Sequence, residues 1–399
     1  MVTDKRILTT VNKIMVACAN PSNRLNYMGK EAADMIDMCR THIGRLLRLN
    51  KAGLIFTSGA TEGNNLAIQG IVGHCLKNEK TPFTIVTSSF EHLSVLDVYK
   101  HYATAQYKDK VRVKFVAPYI ENKNDANYGV IRPQDVAKAI QDSDNVKLVS
   151  IMHANNETGA IMDMHDMCSM IRKKLGDRVV IHCDATQTVG RLDRKHLTRA
   201  LSESGCDLVT FSAHKFHGMK GCGCLYVSDR VRNSIDPLVF GGHQEGGLRP
   251  GTENIAGIVA MSMALGNVMH DRDAKNKKVL AMKLWILEKL QSRGVEFELI
   301  GPCARNTLPN TILIRFVEPT CDNAHLVQEL SDRCVVVGIG AACHACGPSH
   351  VLAAMNLKPS EMIHVLRISL CDTTTWKGCK ALVNALVEIL RGTQDQKAN

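Results

Sequence analysis

Lys215 sits in Ser212-Ala213-His214-Lys215-Phe216-His217-Gly218, just after the apolar run Leu208–Phe211. A lysine at the buried end of a strand is poorly solvated. Its pKa falls, and the amine becomes a nucleophile able to form a Schiff base with a carbonyl. A solvated loop lysine is the ordinary alternative, so its neighbours must decide. Asp184 closes the run Val179–Cys183 within His182-Cys183-Asp184-Ala185-Thr186-Gln187. A carboxylate there either caps a helix or stands as a fixed counter-charge to a cationic ring nitrogen. Ser58-Gly59-Ala60-Thr61-Glu62-Gly63 follows the run Leu54–Thr57 and opens a helical stretch. Glycine admits close backbone approach, and a helix N-terminus offers unpaired N–H groups to a phosphate. A tight strand-to-helix turn would use the same residues.

Such clusters work together only if a frame brings strand ends to one edge. Short apolar runs predict strands at Leu54–Thr57, Thr84–Thr87, Val113–Val116, Lys147–Met152, Val179–Cys183, Leu208–Phe211 and Cys224–Val227. Helices are expected between them. One carries Ile68, Ile71, Val72 and Cys75 at helical spacing, and others cover His92–Tyr102, Pro133–Ile140 and Met164–Leu175. Continuous apolar strands alternating with helices predict an α/β fold with a mostly parallel sheet covered on both faces. In such sheets ligands bind beyond the carboxyl ends of the strands. From about residue 255 the pattern changes. A long helical stretch, broken near Asp271–Asn276, precedes strands at Thr311–Phe316, Val335–Gly338 and Val365–Leu370. The expected division is an N-terminal segment 1–23 packing on the small domain, a large domain 24–262 and a smaller α+β domain 263–399.

With 399 residues, 45% hydrophobic and 22% charged, the chain can bury a large core without staples. The net charge of +10 comes from scattered Lys and Arg rather than a basic tail, so neither nucleic acid nor a membrane is the expected partner. Met1–Thr10 holds no long apolar run, and no stretch is apolar enough to span a bilayer. A cytoplasmic, reducing location is the expectation, with most of the 15 cysteines acting as small buried hydrophobes.

The strings SGATEGNNLAIQG, EHLSVL, HANNETGAI, DATQTVGR, SAHKFHGMKGCG, GGHQEGGLRPGTEN and GAACH occur in this order between about residues 24 and 390. On these motifs the chain closely resembles the NifS-like cysteine desulfurases and selenocysteine lyases of the class V aminotransferase group. The resemblance implies a fold-type I homodimer that binds pyridoxal 5'-phosphate in its large domain. It implies Lys215 as the Schiff-base lysine and Asp184 as the partner of the pyridine nitrogen. It further implies Gln187 and Asn155 by the ring hydroxyl, His92 stacked on the ring face, and Ala60, Thr61, Ser212 and His214 on the phosphate. Thr252 would reach the phosphate of the neighbouring subunit. Arg367, in Val365-Leu366-Arg367-Ile368-Ser369, matches the arginine that pairs with the substrate carboxylate, where a guanidinium fork fixes orientation. Asn155 would also face that carboxylate.

Cys343, in Gly340-Ala341-Ala342-Cys343-His344, matches the catalytic cysteine of the family. The implied reaction removes sulfur from L-cysteine, leaving L-alanine and a persulfide on Cys343. A sulfur-acceptor protein would then collect it. Selenocysteine lyase or another class V reaction is the alternative, and a cofactor-binding or cofactor-free regulatory protein is a third. Cys346 makes a Cys-x-x-Cys pair with Cys343. No second well-spaced pair completes a metal site, since Cys222 and Cys224 are only two apart, and none is expected. The chain departs from the family in three places. Val16-Ala17-Cys18-Ala19-Asn20-Pro21-Ser22 lacks the usual acidic and hydroxyl groups. His217, Met219 and Cys222 sit unusually in the loop after Lys215, and the loop after Cys343 is short.

Overall fold

The computed structural model describes residues 4–17, 19–304, 306–317, 321–339 and 348–398, with side chains as far as Arg391. Two compact units form. The first contains Met1–Val116, Arg132–Ala154 and Met162–Arg272. The second contains Ala117–Ile131, Asn155–Ile161 and Asp273–Asn399. The chain therefore crosses between units at Ala117–Ile131 and Asn155–Ile161, which a division by sequence position does not foresee.

The first unit is built on β1 (Leu54–Thr57), β2 (Phe83–Ser88), β3 (Val111–Val116), β4 (Val146–Met152), β5 (Val180–Asp184), β6 (Leu208–Ser212) and β7 (Gly223–Val227). Their order across the sheet is β1-β7-β6-β5-β4-β2-β3. Only β7 opposes its neighbours; the other six strands run the same way. Every residue of β1, β2, β5 and β6 is buried, as strands covered on both faces require. Edge strand β3 is exposed at Arg112, Lys114 and Phe115, and the two charges discourage pairing with a further strand.

Around the sheet lie α1 (Lys5–Ala17), α2 (Tyr27–Leu47), α3 (Ala60–Asn78), α4 (Leu93–Tyr102), α5 (Pro133–Gln141), α6 (Met164–Leu175), α7 (Arg194–Leu197) and α8 (Ile255–Met269). Local signals set their ends. Asn26 caps α2 by accepting from Gly29 N at 2.8 Å, Asp163 caps α6 and Pro133 opens α5. Ile68, Ile71, Val72 and Cys75 of α3 are all buried in one core with β-strand residues such as Ile85 and Leu225. α8 is apolar almost all round, and both α1 and α2 pack on it. The buried Ile7, Val11 and Ile14 lie along one side of α1. The N-terminal segment thus falls within the first unit, with α1 lying on α8. An apolar helix such as α8 needs cover, and α1 supplies it.

The second unit contains α9 (Arg272–Ser292), whose first residue closes the first unit, and β8 (Phe297–Leu299), β9 (Thr311–Phe316), α10 (Asn323–Asp332), α11 (His350–Ala354), α12 (Pro359–Met362), β10 (Val365–Ser369) and α13 (Trp376–Ala398). Its antiparallel sheet has the order β10-β9-β8. The chain breaks between α8 and α9 at His270-Asp271, where Asp271 takes φ +50°. The strand expected at Val335–Gly338 does not form. Cys334 turns to φ +56°, Val336 stays 90% exposed, and only Gly338 pairs, in an isolated bridge to Arg367. β-branched content alone does not supply a partner strand.

Candidate active site

Register places the chemistry of the first unit at one edge of its sheet. Thr57, Gly223 and Ser212 are level across β1, β7 and β6, and Met152, Asp184 and Thr210 are level across β4, β5 and β6. Ser58–Thr61, Ser212–Lys215, Asp184–Gln187 and Glu91–His92 all leave from this edge. Gly59 begins α3 with no side-chain cap, so the first N–H groups of the helix keep their donors for a ligand. A Cβ on Gly223 would lie 2.6 Å from Gly59 Cα, so the strand must carry glycine there. Behind this turn Glu62 accepts from Ser58 N at 2.8 Å and from Arg249 Nε at 3.0 Å. Ser212 Oγ is 2.8 Å from His214 Nδ1. Burial, then the charges of Lys215 and Lys220, holds His214 below its ordinary pKa. Lys215 is half-buried in a short turn that ends where His217 takes φ +69°.

Asp184 is 4% exposed. Its carboxylate accepts from Asn64 Nδ2 at 2.8 Å and from Thr186 N at 2.9 Å, and no cation among the described residues forms an ion pair with it. Asn64 Nδ2 also reaches Ser94 Oγ at 2.9 Å, and Ser94 Oγ is 2.8 Å from His92 Nδ1. That nitrogen further accepts from Ser94 N at 3.1 Å. These bonds put the His92 proton on Nε2 and tie the ring to Asp184 through two side chains. Glu91, fully buried, accepts from Ser88 Oγ at 2.5 Å and Met152 N at 3.0 Å. Burial pushes its pKa up to about 8, and the charge of Asp184 acts in the same direction. His92, Ser94 and Thr61 line a cleft of about 600 Å³ that continues past Asp97 to His101.

Other expected residues make contacts of their own. The carbonyl oxygen of the Gln187 side chain accepts from Arg191 Nη1. Thr252 is exposed. Its loop is anchored by Glu245, which takes φ +50° and binds Arg40 at 2.6 and 3.0 Å while accepting from Phe56 N at 2.8 Å.

Asn155 and Arg367 belong to the second unit. The side-chain oxygen of Asn155 accepts from Glu157 N and Thr158 N at 2.8 and 2.9 Å, forming a turn that the sequence NNETG supplies. Arg367 Nη1 donates to Asn156 O at 3.3 Å, while its Nε is buried with no partner among the described residues. Burial lowers the Arg367 pKa, and the nearby Glu157 opposes that change. Glu157 itself accepts from Ser349 Oγ at 2.7 Å. Cys343 and Cys346 lie outside the described residues.

Residues 3–382 match the family model "Aminotransferase class-V". A cysteine desulfurase IscS of Dictyoglomus turgidum is 33% identical over 374 residues, covering 93% of this chain and 87% of that one. The chain is a class-V aminotransferase-family protein of the NifS- and IscS-like branch. Solved structures agree. A "NifS-like protein" superposes with a TM-score of 0.84 at 29% identity, covering 98% of this chain and 97% of that one. A structure of SspA in complex with cysteine gives 0.75 at 28%, covering 94% and 97%. The α/β architecture is that of fold-type I pyridoxal-phosphate transferases, and the family implies that cofactor.

Pyridoxal phosphate needs an anion seat, a carboxylate for its ring nitrogen and an amine for its aldehyde. The first unit of this NifS-like chain contains all three kinds of group at one sheet edge. The uncapped start of α3 suits a phosphate. Asp184 is a buried carboxylate with two neutral donors and no cation among the described residues, which suits a protonated ring nitrogen. Sequence reasoning misses Asn64, Ser94 and Glu91. Asn64 does leave a signal, because it extends the buried stripe of Ile68, Ile71, Val72 and Cys75 on α3 by one turn. A polar residue on a buried helix stripe needs a hydrogen-bond partner.

Proposed function

We propose that the protein is a pyridoxal-phosphate-dependent cysteine desulfurase that converts L-cysteine to L-alanine and leaves a persulfide on Cys343. The observation that carries this reading is the Asp184 carboxylate, buried without a cation among the described residues and tied through Asn64 and Ser94 to His92. When bound, the cofactor supplies an electron sink for the pair left at the substrate α-carbon. Asp184 would keep the ring nitrogen protonated. Lys215 would hold the aldehyde carbon, and Gln187 and Asn155 would approach the ring hydroxyl. The N-terminal N–H groups of α3 at Ala60 and Thr61, with Ser212 and His214, would hold the phosphate. Thr252 would serve the site of a second subunit in a homodimer.

His92 carries its proton on Nε2, so it would present a donor to the ring face and could move a proton at that atom. Arg367 would bind the substrate carboxylate through Nε and its free donors. Cys343 would attack the substrate sulfur as a thiolate, since only the thiolate is nucleophilic enough. The sulfur leaves with Cys343 and the carbon skeleton leaves as alanine, so the two thiol-bearing reactants become one persulfide and one alanine. SspA, a relative 28% identical to this chain, was solved with cysteine bound. That ligand supports the substrate choice.

The test combines colour and product. Purified protein should be yellow, lose that colour in Lys215→Ala, and release alanine and reducible sulfur from L-cysteine. Cys343→Ser should remain yellow and release no sulfur. A colourless wild type would instead support a regulatory protein. Full activity in Cys343→Ser would point to another class V reaction.

A further inference from the structure

Lys283 of α9 is 1% exposed. A buried ammonium is expensive unless paired, and no carboxylate among the described residues forms an ion pair with it. Its Nζ donates to Thr307 Oγ1 and, at 3.0 Å, to Leu308 O. The Thr307 hydroxyl is itself spent on Ala304 O at 3.2 Å, which leaves its lone pairs for Lys283. Burial lowers the pKa of Lys283 to about 8, so at neutral pH it is a charged donor to neutral oxygens.

Those oxygens belong to a strap that holds a second segment in place. Thr307 pairs with Ala160 in an antiparallel bridge, and Leu308 N donates to Gly159 O at 2.8 Å. Ala160 O accepts from Asn155 N at 2.9 Å, and Asn155 O accepts from Gly159 N at 3.1 Å. This closes the turn in which Asn155 binds Glu157 N and Thr158 N. The turn then presents Asn156 O to Arg367 Nη1. The connection therefore runs from Lys283 through Thr307–Leu308 and Gly159–Ala160 to Asn155 and Arg367, wholly within the second unit. Packing leaves the turn little slack. Gly159 adopts φ +74°, and a Cβ there would come within 3.1 Å of Thr311 Cβ.

We infer that Lys283 is a positioning residue: its buried ammonium pins the strap Thr307–Leu308, and through it the turn that orients Asn155 and Arg367 toward the substrate carboxylate. The inference rests on the reading of Arg367 as the carboxylate anchor. It accounts for a buried charge that a purely structural position would fill with an apolar side chain.

The experiment compares wild type, Lys283→Met and Thr307→Val as full-length holoenzymes. Two readouts are needed. Hydrogen exchange should quicken in peptides covering 155–161 and 303–308 while peptides from the first unit stay unchanged. KM for L-cysteine should rise about tenfold in Lys283→Met, the loss of a charge-assisted hydrogen bond, with kcat within about twofold. Thr307→Val should move both readouts in the same direction by less, and it decides the matter alone if Lys283→Met fails to fold. Unchanged exchange in 155–161, or unchanged KM with faster exchange, overturns the inference. Wild type that yields no alanine from cysteine would refute the proposed function. The exchange comparison would still judge the link from Lys283 to the turn.

Discussion

Glu91→Gln offers a test of the buried network that needs no assumption about substrate. Glu91 is fully buried, and its pKa stands at about 8 against an ordinary 4.5. The folded state therefore keeps the proton between pH 4.5 and 8, where the unfolded chain has lost it. Stability must fall as pH rises through that window, because the native state binds more protons. The contribution is complete below pH 4.5 and gone above about pH 8. A tenfold difference in proton affinity between the two states corresponds to about 1.4 kcal/mol, so between pH 5.5 and 8.5 wild type should lose up to ~3 kcal/mol from this group. Glutamine is neutral at every pH and keeps a carbonyl oxygen for Met152 N and Ser88. The variant should therefore lie close to wild type at the acid end and gain on it steadily to pH 8.5. Urea midpoints of both proteins, measured side by side at pH 5.5, 7 and 8.5, give the difference. Background titrations cancel in that subtraction because distant groups are shared. A gap that stays constant across the range would refute the claim that Glu91 is held neutral by burial. At alkaline pH the same ionisation places a second negative charge near Asp184, so cofactor absorbance should drift above pH 8 in wild type and not in Glu91→Gln.

The remaining predictions concern single side chains. Asn64→Leu removes a donor to the Asp184 carboxylate and should loosen retention of pyridoxal phosphate by about tenfold or more in an absorbance titration, since hydrogen bonds to charged groups contribute about 1.5–3 kcal/mol. Arg367→Lys keeps the charge but removes Nε and the planar fork, so KM for L-cysteine should rise about tenfold with the visible spectrum unchanged. Arg40→Met strands Glu245, which is 2% exposed at its side chain, and should lower stability by about 3–5 kcal/mol in denaturant melts. For Lys283 the depressed pKa reverses the sign seen for Glu91. The unfolded chain binds the extra proton between pH 8 and 10.5, so wild type should gain stability relative to Lys283→Met as pH rises through that range, measured by paired melts.

Much of the sheet was legible because its strands are buried on both faces. Leu54–Thr57, Leu208–Phe211 and Val179–Cys183 are short apolar runs followed by polar residues, and each lies within one residue of an observed strand. The antiparallel direction of β7 was not legible, because apolarity carries no sign of direction. Nor was the crossing of Asn155–Ile161 into the second unit. That segment is held there by backbone bonds from Leu308 and the bridge to Thr307, which leave no pattern in side-chain hydrophobicity. Val335–Gly338 failed in the opposite sense. Its three valines read as a strand, yet the chain turns at Cys334 and only Gly338 pairs.

For the site, the proposed residues that the sequence could flag lie at strand ends, where Lys215, Asp184 and Thr61 follow apolar runs. Glu91 and Lys283 did not stand out, since each lies inside or beside a helix and looks like a surface polar residue until burial is known, and Asn64 showed only as a polar residue one turn before the buried stripe of α3. Their common property is a polar group kept under cover although an apolar one would fill the space more cheaply. Asn64 and Glu91 lie next to Asp184 in hydrogen bonding and in charge, respectively. Lys283 supports the turn on which Arg367 rests. Each unread polar group thus bears on a residue whose charge the proposed chemistry needs: Asp184 in the first unit and Arg367 in the second. If burial without function were the rule here, apolar replacement at all three would be neutral in binding as well as in stability. Stability and binding should instead part company: Lys283→Met and Asn64→Leu should keep most of the fold while losing affinity for substrate and cofactor respectively. A variant set in which affinity tracked stability alone would remove the reason for treating these three residues as part of the site.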